Sequence, residues 1–333
     1  MKGLRAGIAI TGSGSAAPSQ VMTNDHLSHL VDTSDEWIQT RTGIKKRHLA
    51  SAEVSLSNLS SQAAAKAIKM AGLTPEDIDL IVLATSTADD LFGSAARVQA
   101  LLGASRAVAF DLTAACSGFV FALVTAAQFI RTGTYQRVVV IGADVLSRWV
   151  DWSDRTTCVL FGDGAGAVVC EAVADQDHLL AFELYSDGTQ YDSLNLSYQG
   201  NSQALKDGIA ISQGTYQPIA MNGREVYRFA VAKVPEVIEK ALFRAKLTTD
   251  DIDWLILHQA NRRIIDAVAK RLQLPSEKVI ANLDEYGNTS AASIPLALDE
   301  AVKQDKIQPG DLIASSGFGA GLTWGAAIFR WGR

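Results

Sequence analysis

Cysteine is scarce in this chain: its 333 residues include three, Cys116, Cys158 and Cys170. No CxxC pair and no Cys/His pair has metal-site spacing, and an odd, sparse count makes no disulfide framework. No metal is therefore expected. A long apolar run is missing too, since nothing approaches the roughly 20 residues that span a bilayer. The first eighteen residues mimic a secretory signal, but the apolar run over 6–10 is too short and Arg5 adjoins it. Basic charge is in deficit. Lys and Arg number 30 against 36 Asp and Glu, a net charge of −6, which argues against a whole-protein nucleic-acid binder. The expectation is a reducing, cytoplasmic protein with neither nucleic acid nor membrane as partner.

What is present is a substantial core. Hydrophobic residues make up 48% and charged residues 20%, the balance of a soluble globular protein. The length exceeds a usual single core, so two domains or two fused halves are expected. Residues 5–11 read as a first strand. The following Gly12-Ser-Gly-Ser-Ala-Ala-Pro18 resembles a dinucleotide fingerprint, but Pro18 falls where a helix should continue. A lone match of this kind is weak. Thr33-Ser-Asp-Glu-Trp37 starts a helix that Gly43 stops. Residues 56–71 form a long helical pattern closed by Gly72, and 78–85 a continuous apolar run, as in a strand covered on both faces. Phe161-Gly-Asp-Gly-Ala-Gly-Ala-Val-Val169 continues into a strand, which reads as close backbone packing and not as a phosphate loop.

The second half repeats the first. Residues 66–83 lie over 240–257 at an offset of 174 positions without a gap, and the same offset sets Val138-Val-Val140 over Leu312-Ile-Ala314. The chain therefore reads as a duplicated α/β unit joined near 174–180, with sheets that carry helices on their faces.

Asp111-Leu-Thr-Ala-Ala-Cys-Ser-Gly-Phe119 ends a strand, turns on small residues and opens an apolar helix reaching Ile130. Cys116 falls near the first turn, where orphan N–H groups and the helix dipole favour a thiolate. A packed core cysteine is the other reading. His258 ends an apolar strand, either buried and hydrogen-bonded or functional. Asn288 sits in Gly287-Asn-Thr-Ser290, where Asn is often a turn former. The repeat joins these three. Shifting Cys116 by the offset gives Ser290, in the turn of Asn288, and the strand ending at Thr85 maps onto the one ending at His258. Ligands in open α/β sheets collect beyond the carboxyl ends of strands, so a pseudo-twofold brings Cys116, His258 and Asn288 toward one site. A Cys–His pair suits a hydrolase. A neutral His and an Asn that donate to one point suit an oxyanion hole for a thioester enolate.

Several motifs extend this pattern: Asp35-Glu-Trp-Ile-Gln-Thr-Arg-Thr-Gly-Ile44, Leu112-Thr-Ala-Ala-Cys-Ser-Gly-Phe119 and Phe161-Gly-Asp-Gly-Ala-Gly166 in the first half, then His258-Gln-Ala-Asn261 and Tyr286-Gly-Asn-Thr-Ser-Ala-Ala-Ser-Ile-Pro295 in the second. In them the chain resembles the β-ketoacyl-acyl-carrier-protein synthase III family of the thiolase superfamily, in the family's order and spacing from the first strand to Trp331. Elongating synthases of the superfamily carry a second histidine where Asn288 stands. Thiolases carry a second catalytic cysteine near the C-terminus, and this chain has none after Cys170.

The resemblance implies an α/β thiolase-like fold of five layers, α/β/α/β/α, from two duplicated halves: residues 1–176 with the nucleophilic cysteine and 177–333 with the His and Asn. It implies decarboxylating Claisen condensation of an acyl-CoA primer, acetyl-CoA first among them, with malonyl-acyl carrier protein. Coenzyme A thioester is then a substrate and no cofactor is expected. Cys116 would carry the acyl group, while His258 and Asn288 would hold the malonyl thioester carbonyl. Backbone N–H groups of Cys116 and of Ala320, in Phe318-Gly-Ala-Gly321, would form the second oxyanion hole; the family usually has glycine at Ala320. Coenzyme A would lie against Trp37, Arg41, Thr42, Arg155, Gly223 and Asn261, its adenine between Trp37 and Arg155. Phe92 and Phe318 would shape the acyl pocket, Phe92 across the interface of a homodimer. Arg228, Arg263, Lys270 and Arg271 would dock the acyl carrier protein. Three rivals stay open: a related acyl-CoA condensing enzyme or acyltransferase of secondary metabolism, a cysteine thioester hydrolase, and a catalytically silent half of a heteromeric complex.

Overall fold

The computed structural model describes residues 6–174 and 176–332. Arg5, where the first strand was expected to begin, lies outside them. Two five-stranded sheets dominate. The first is built from β1 (Gly7–Ala16), β2 (Leu80–Ala84), β3 (Val108–Leu112), β4 (Arg137–Val145) and β5 (Asp163–Val173), in the order β1-β5-β4-β2-β3. The second uses β6 (Leu179–Ser186), β7 (Trp254–Leu257), β8 (Val279–Ile280), β9 (Leu312–Gly319) and β10 (Thr323–Arg330), in the order β6-β10-β9-β7-β8. The order repeats strand for strand, and so does the direction. In each sheet the three strands at one end run parallel, and the fourth (β5 or β10) runs against both of its neighbours.

The layers follow from where apolar side chains fall. The helix Gly118–Arg131 is buried on nearly every side, through Phe119, Val120, Leu123, Ala126, Ala127 and Ile130. A helix apolar all round belongs in an interior. With the helix Ser293–Lys303 it lies between the sheets, sharing one core with Leu80, Val82 and Val138 of the first and Ile256, Ile313 and Phe329 of the second. The helix Leu56–Met70 covers the outer face of the first sheet and Gly223–Ala245 that of the second. Helix, sheet, helix pair, sheet, helix gives five layers. A hairpin, Tyr198–Ala204 with Ala210–Tyr216, stands exposed outside them.

Two glycine-rich runs take their meaning from this packing. Strand β1 continues through Gly12-Ser-Gly14 to Ala16, past the expected end at residue 11. A Cβ at Gly12 or Gly14 would collide with the Ala67 or Ala63 carbonyl of the helix Leu56–Met70, so these glycines seat a helix on a strand and cradle no phosphate. A Cβ on Gly166 would stand 2.6 Å from the Leu296 nitrogen, which is the close backbone packing expected of that run.

The duplication is corrected in one detail. Gly72 and Lys246 both take left-handed backbone (φ 73 and 58) at the expected offset of 174. Beyond the strands that follow, the halves slip by one residue. The positive-φ residue of the nucleophile turn is Ala115 (φ 46), and its counterpart is Ser290 (φ 50). Cys116 therefore matches Ala291, not Ser290. Likewise Val138 pairs with Leu80 where Ile313 pairs with Trp254, so the valines overlie Ile313-Ala-Ser315.

Candidate active site

Cys116 and His258 sit where a strand gives way to a turn at the junction of the halves, and Asn288 follows the short helix Leu283–Tyr286. After β3, a single 3-10 turn, Ala115–Ser117, presents Cys116 just ahead of the central helix. The Ser117 hydroxyl bonds the Ala114 carbonyl at 2.6 Å and meets Thr323 Oγ1 at 2.8 Å, which ties this turn to the second half. The end of β9 lies against the nucleophile. A Cβ on Gly319 would come within 2.6 Å of the Cys116 nitrogen, and one on Gly317 within 2.9 Å of the Ser117 Cα. Gly319, the last residue of β9, is thus packed against the Cys116 backbone, and the Ala320 that follows it accepts from Thr323 Oγ1 at 3.1 Å through its carbonyl.

His258 follows β7, and its N–H bonds the Ser316 carbonyl at 2.8 Å. Its ring is buried, edge-on to Phe318 at 5.3 Å. Nδ1 lies 2.7 Å from Ser293 Oγ, which is also 2.8 Å from the Ser290 carbonyl. One hydroxyl proton serves one of these two. Turned to Nδ1, it leaves the ring proton on Nε2; turned to the carbonyl, it draws that proton onto Nδ1. Asn288 is fixed by its backbone, with N–H to the Leu160 carbonyl at 2.9 Å and its own carbonyl accepting from Gly162 at 3.0 Å. Its Oδ1 accepts the Ser290 N–H at 2.9 Å, so the Nδ2 amide is the end left to donate to a ligand.

Cys116, His258 and Asn288 line one cleft of about 570 Å³, together with Phe318, Trp37, Arg41, Thr42, Gly223 and Asn261. All of the residues expected along coenzyme A but Arg155 thus line this cleft, with qualifications. The Thr42 hydroxyl is occupied by the Ile38 carbonyl (2.7 Å) and the Ile44 N–H (3.0 Å). Asn261 caps the helix Arg262–Arg271 and donates to the Arg41 carbonyl at 3.1 Å. The Arg41 and Arg155 guanidinium carbons stand 4.4 and 5.0 Å from the Trp37 ring centroid. Arg155 thus stacks on the indole itself, and a purine could enter between them only by displacing it.

Phe92 is 99% exposed and is not among the residues lining the cleft. Within one chain it forms no part of the acyl pocket. Arg228, Arg263, Lys270 and Arg271 are all exposed, and none is in an ion pair among the described residues. Arg263 lines the cleft and covers Tyr227 at 5.7 Å.

The electrostatics correct one expectation. Burial pushes the Cys116 thiol up to about 12, the Asp144 carboxylate adds to the rise, and a hydrogen bond with Ser290 opposes it. The resting sulfur is a thiol, and the helix behind it does not by itself make a thiolate. Burial alone drives His258 down to about 3, so its imidazole is neutral. Cys158 and Cys170 are fully buried, and burial raises both thiols. Reading the sequence missed Ser290, Ser293 and Asp144. The two serines are legible only as neighbours of Asn288, and Asp144 only as a charge closing an apolar strand.

A thiol, a neutral imidazole and an oriented carboxamide meeting between two like halves are the equipment of a thiolase-fold condensing enzyme, an acyltransferase. Comparison with known proteins carries this further. Residues 110–188 match the family model for 3-oxoacyl-[acyl-carrier-protein] synthase III, and residues 242–331 match the model for its C-terminal part. The chain is 71% identical, over all of both sequences, to the β-ketoacyl-[acyl-carrier-protein] synthase III of Microcystis aeruginosa. It is 66% identical to that of Synechocystis, over 99% of this chain and all of that one. The crystal structure of the Aquifex aeolicus 3-oxoacyl-[acyl-carrier-protein] synthase III superposes with a TM-score of 0.90 at 46% identity, over 98% of this chain and all of that one. The chain belongs to the 3-oxoacyl-[acyl-carrier-protein] synthase III family, and its activity is that of the family in fatty acid synthesis. Among the described residues no helix is long and apolar enough to cross a membrane.

Proposed function

We propose that the chain condenses an acyl-CoA primer, acetyl-CoA first among them, with malonyl-acyl carrier protein in two steps at this cleft. The observation that carries the reading is the convergence of Cys116, His258 and Asn288 on one cleft whose mouth holds Trp37 and Arg41. In the first step Cys116 Sγ attacks the primer thioester, coenzyme A departs as its thiol, and the acyl group stays on sulfur. The N–H groups of Cys116 and Ala320 hold the oxyanion. In the second, the Ser293 proton turns to His258 Nδ1, so that Nε2–H and Asn288 Nδ2–H both donate to the malonyl thioester oxygen. Loss of CO2 leaves an enolate whose carbanion attacks the acyl-cysteine. The product is a 3-oxoacyl thioester, and Cys116 recovers a proton. A hydrolase finds less support, because an imidazole held near 3 is a poor base for water.

Coenzyme A takes Trp37, Arg41, Thr42, Gly223 and Asn261 along its length, with Arg155 moving off the indole to admit adenine. No further cofactor is required. The carrier protein docks on Arg228, Arg263, Lys270 and Arg271, where unpaired exposed cations suit an acidic partner. Leu91 and Phe92, 83% and 99% exposed, are covered by a second copy in a cytoplasmic homodimer. The halves 1–176 and 177–333 divide the labour: acyl carriage in the first, decarboxylation in the second. Incubation with acetyl-CoA should add one acetyl group at Cys116 by intact and peptide mass. Cys116→Ala should lose it, while His258→Ala and Asn288→Ala should keep it and lose malonyl decarboxylation. Labelling elsewhere, or none, overturns the reading.

A further inference from the structure

Asp144 is a charge at the site with no part in the scheme above. It sits near the end of β4 and is fully buried. Its carboxylate accepts the Ser86 N–H (2.9 Å), the Thr87 hydroxyl (2.9 Å) and the Thr85 hydroxyl (3.2 Å) from the segment after β2. From the other half it accepts the Ala291 N–H at 3.1 Å. The Ser290 side chain, also buried, stands beside both this carboxylate and the Cys116 thiol, because its turn packs on the turn of Cys116 and the next residue, Ala291, is the one bound to Asp144. A single hydroxyl thus lies between the nucleophile and a carboxyl group whose burial raises its affinity for a proton.

We propose that Asp144, acting through the Ser290 hydroxyl, accepts the proton of Cys116 as the thiol attacks the primer thioester. The inference rests on Cys116 being the acylated nucleophile. As the S–H bond breaks, its proton passes to Ser290 Oγ and the Ser290 proton passes to Asp144. Sulfur bonds to the carbonyl carbon, the carbonyl carbon's bond to coenzyme A sulfur breaks, and the proton returns through the same hydroxyl to the leaving thiolate. The site holds one negative charge throughout. Releasing the thiol proton to solvent would instead leave thiolate and carboxylate together in a buried site, where like charges are most disfavoured.

Among the described residues no other group contends for the role. The carboxylate of Asp163, opposite Val145 on β5, is turned to the Ala50 N–H and the Ser147 hydroxyl. Asp299, on the central helix, is bound to Ser13, Ser15 and Lys303. Burial makes His258 too weak a base.

The test is single-turnover transfer of acetyl from acetyl-CoA to Cys116, followed by intact mass from neutral to alkaline pH, in wild type, Asp144→Asn, Ser290→Ala and the double variant. Alanine fits at 290, since Ala115 holds the same backbone conformation in the first half (φ 46 against 50). Each single variant should slow labelling at neutral pH by roughly 10²-fold, the lower end for general-base assistance. Its rate should then climb with pH more steeply than that of wild type, and the double variant should be no slower than either. Labelling of Asp144→Asn at the wild-type rate or faster overturns the proposal. Removing a nearby negative charge makes the thiolate easier to form, so a purely electrostatic role moves the rate the opposite way, while a structural role, through the Ala291 N–H and the segment after β2, lowers malonyl decarboxylation along with labelling. Malonyl thioester decarboxylation in the same preparations checks that the His258–Asn288 half is intact. Should Asp144→Asn fail that check, Ser290→Ala carries the test alone. A wild type that takes no label refutes the acyl-cysteine itself, and the relay with it.

Discussion

The neutral burial of His258 makes the folded protein acid-labile in a way that can be isolated. In the unfolded chain this imidazole takes a proton as pH falls through 6.5, whereas in the folded state burial holds it neutral until about 3. Between those values the unfolded state binds the extra proton, so stability is lost as pH falls. The loss approaches about 1.4 kcal/mol per pH unit, or roughly 2 kcal/mol by pH 5. His258→Asn removes the titrating group and keeps a polar side chain at Ser293. Denaturant unfolding of both proteins at pH 7, 6 and 5 gives the stability difference at each pH, and groups common to both cancel. Wild type should lose ground to the variant as pH falls, with the slope developing below 6.5. A difference that stays flat from pH 7 to 5 would refute a neutral, buried imidazole, and with it the picture of His258 as a donor whose charge never changes during turnover.

Ser293→Ala removes the hydroxyl that decides which ring nitrogen of His258 carries the proton, so malonyl decarboxylation should fall about tenfold or more while acetyl labelling of Cys116 stays near wild type; equal losses in both steps would contradict it. Gly142→Ala places a Cβ against the Ala291 carbonyl and should cost about 1–3 kcal/mol in denaturant stability by overpacking, with both half-reactions impaired because the Asn288 turn must shift. Arg263→Glu at the cleft mouth should lower kcat/KM for malonyl-acyl carrier protein severalfold, more at low salt than at high, and leave labelling by acetyl-CoA within about twofold. An unchanged salt dependence would remove Arg263 from the docking surface.

Much of the fold was legible because its signals are local. The run at β2 is apolar throughout, as a strand covered on both faces must be, and the capping sequences Thr74-Pro-Glu-Asp77 and Thr248-Thr-Asp-Asp251 recur at the offset of the repeat. Cys116 and His258 were placed by strand ends, and Asn288 by its turn and the duplication. Their protonation did not follow. A helix start in sequence suggests a thiolate, but what keeps Cys116 a thiol is its burial, with β9 packed against it, and the charge of Asp144, both contributed by segments distant in the chain. Arg155 is a related case: the family resemblance sets it across an adenine from Trp37, and only the structure shows it lying on the indole.

The one-residue slip between the halves bears on how a duplicated unit becomes an enzyme. Ala115 and Ser290 hold the same left-handed turn ahead of equivalent central helices, a conformation that costs a non-glycine residue about 1–2 kcal/mol. Tolerating that cost twice implies that the turn does something in each half. In the first, the next residue is Cys116, which faces the cleft. In the second it is Ala291, whose N–H is committed to Asp144 in the first half, while the strained residue supplies the hydroxyl that reaches Cys116 and the amide that orients Asn288. The second turn therefore no longer presents a nucleophile but serves the first one's. The halves cannot be separated without removing from Cys116 its only hydroxyl link to a carboxylate among the described residues. A protein made of residues 1–176 alone should fail to acylate even if it folds.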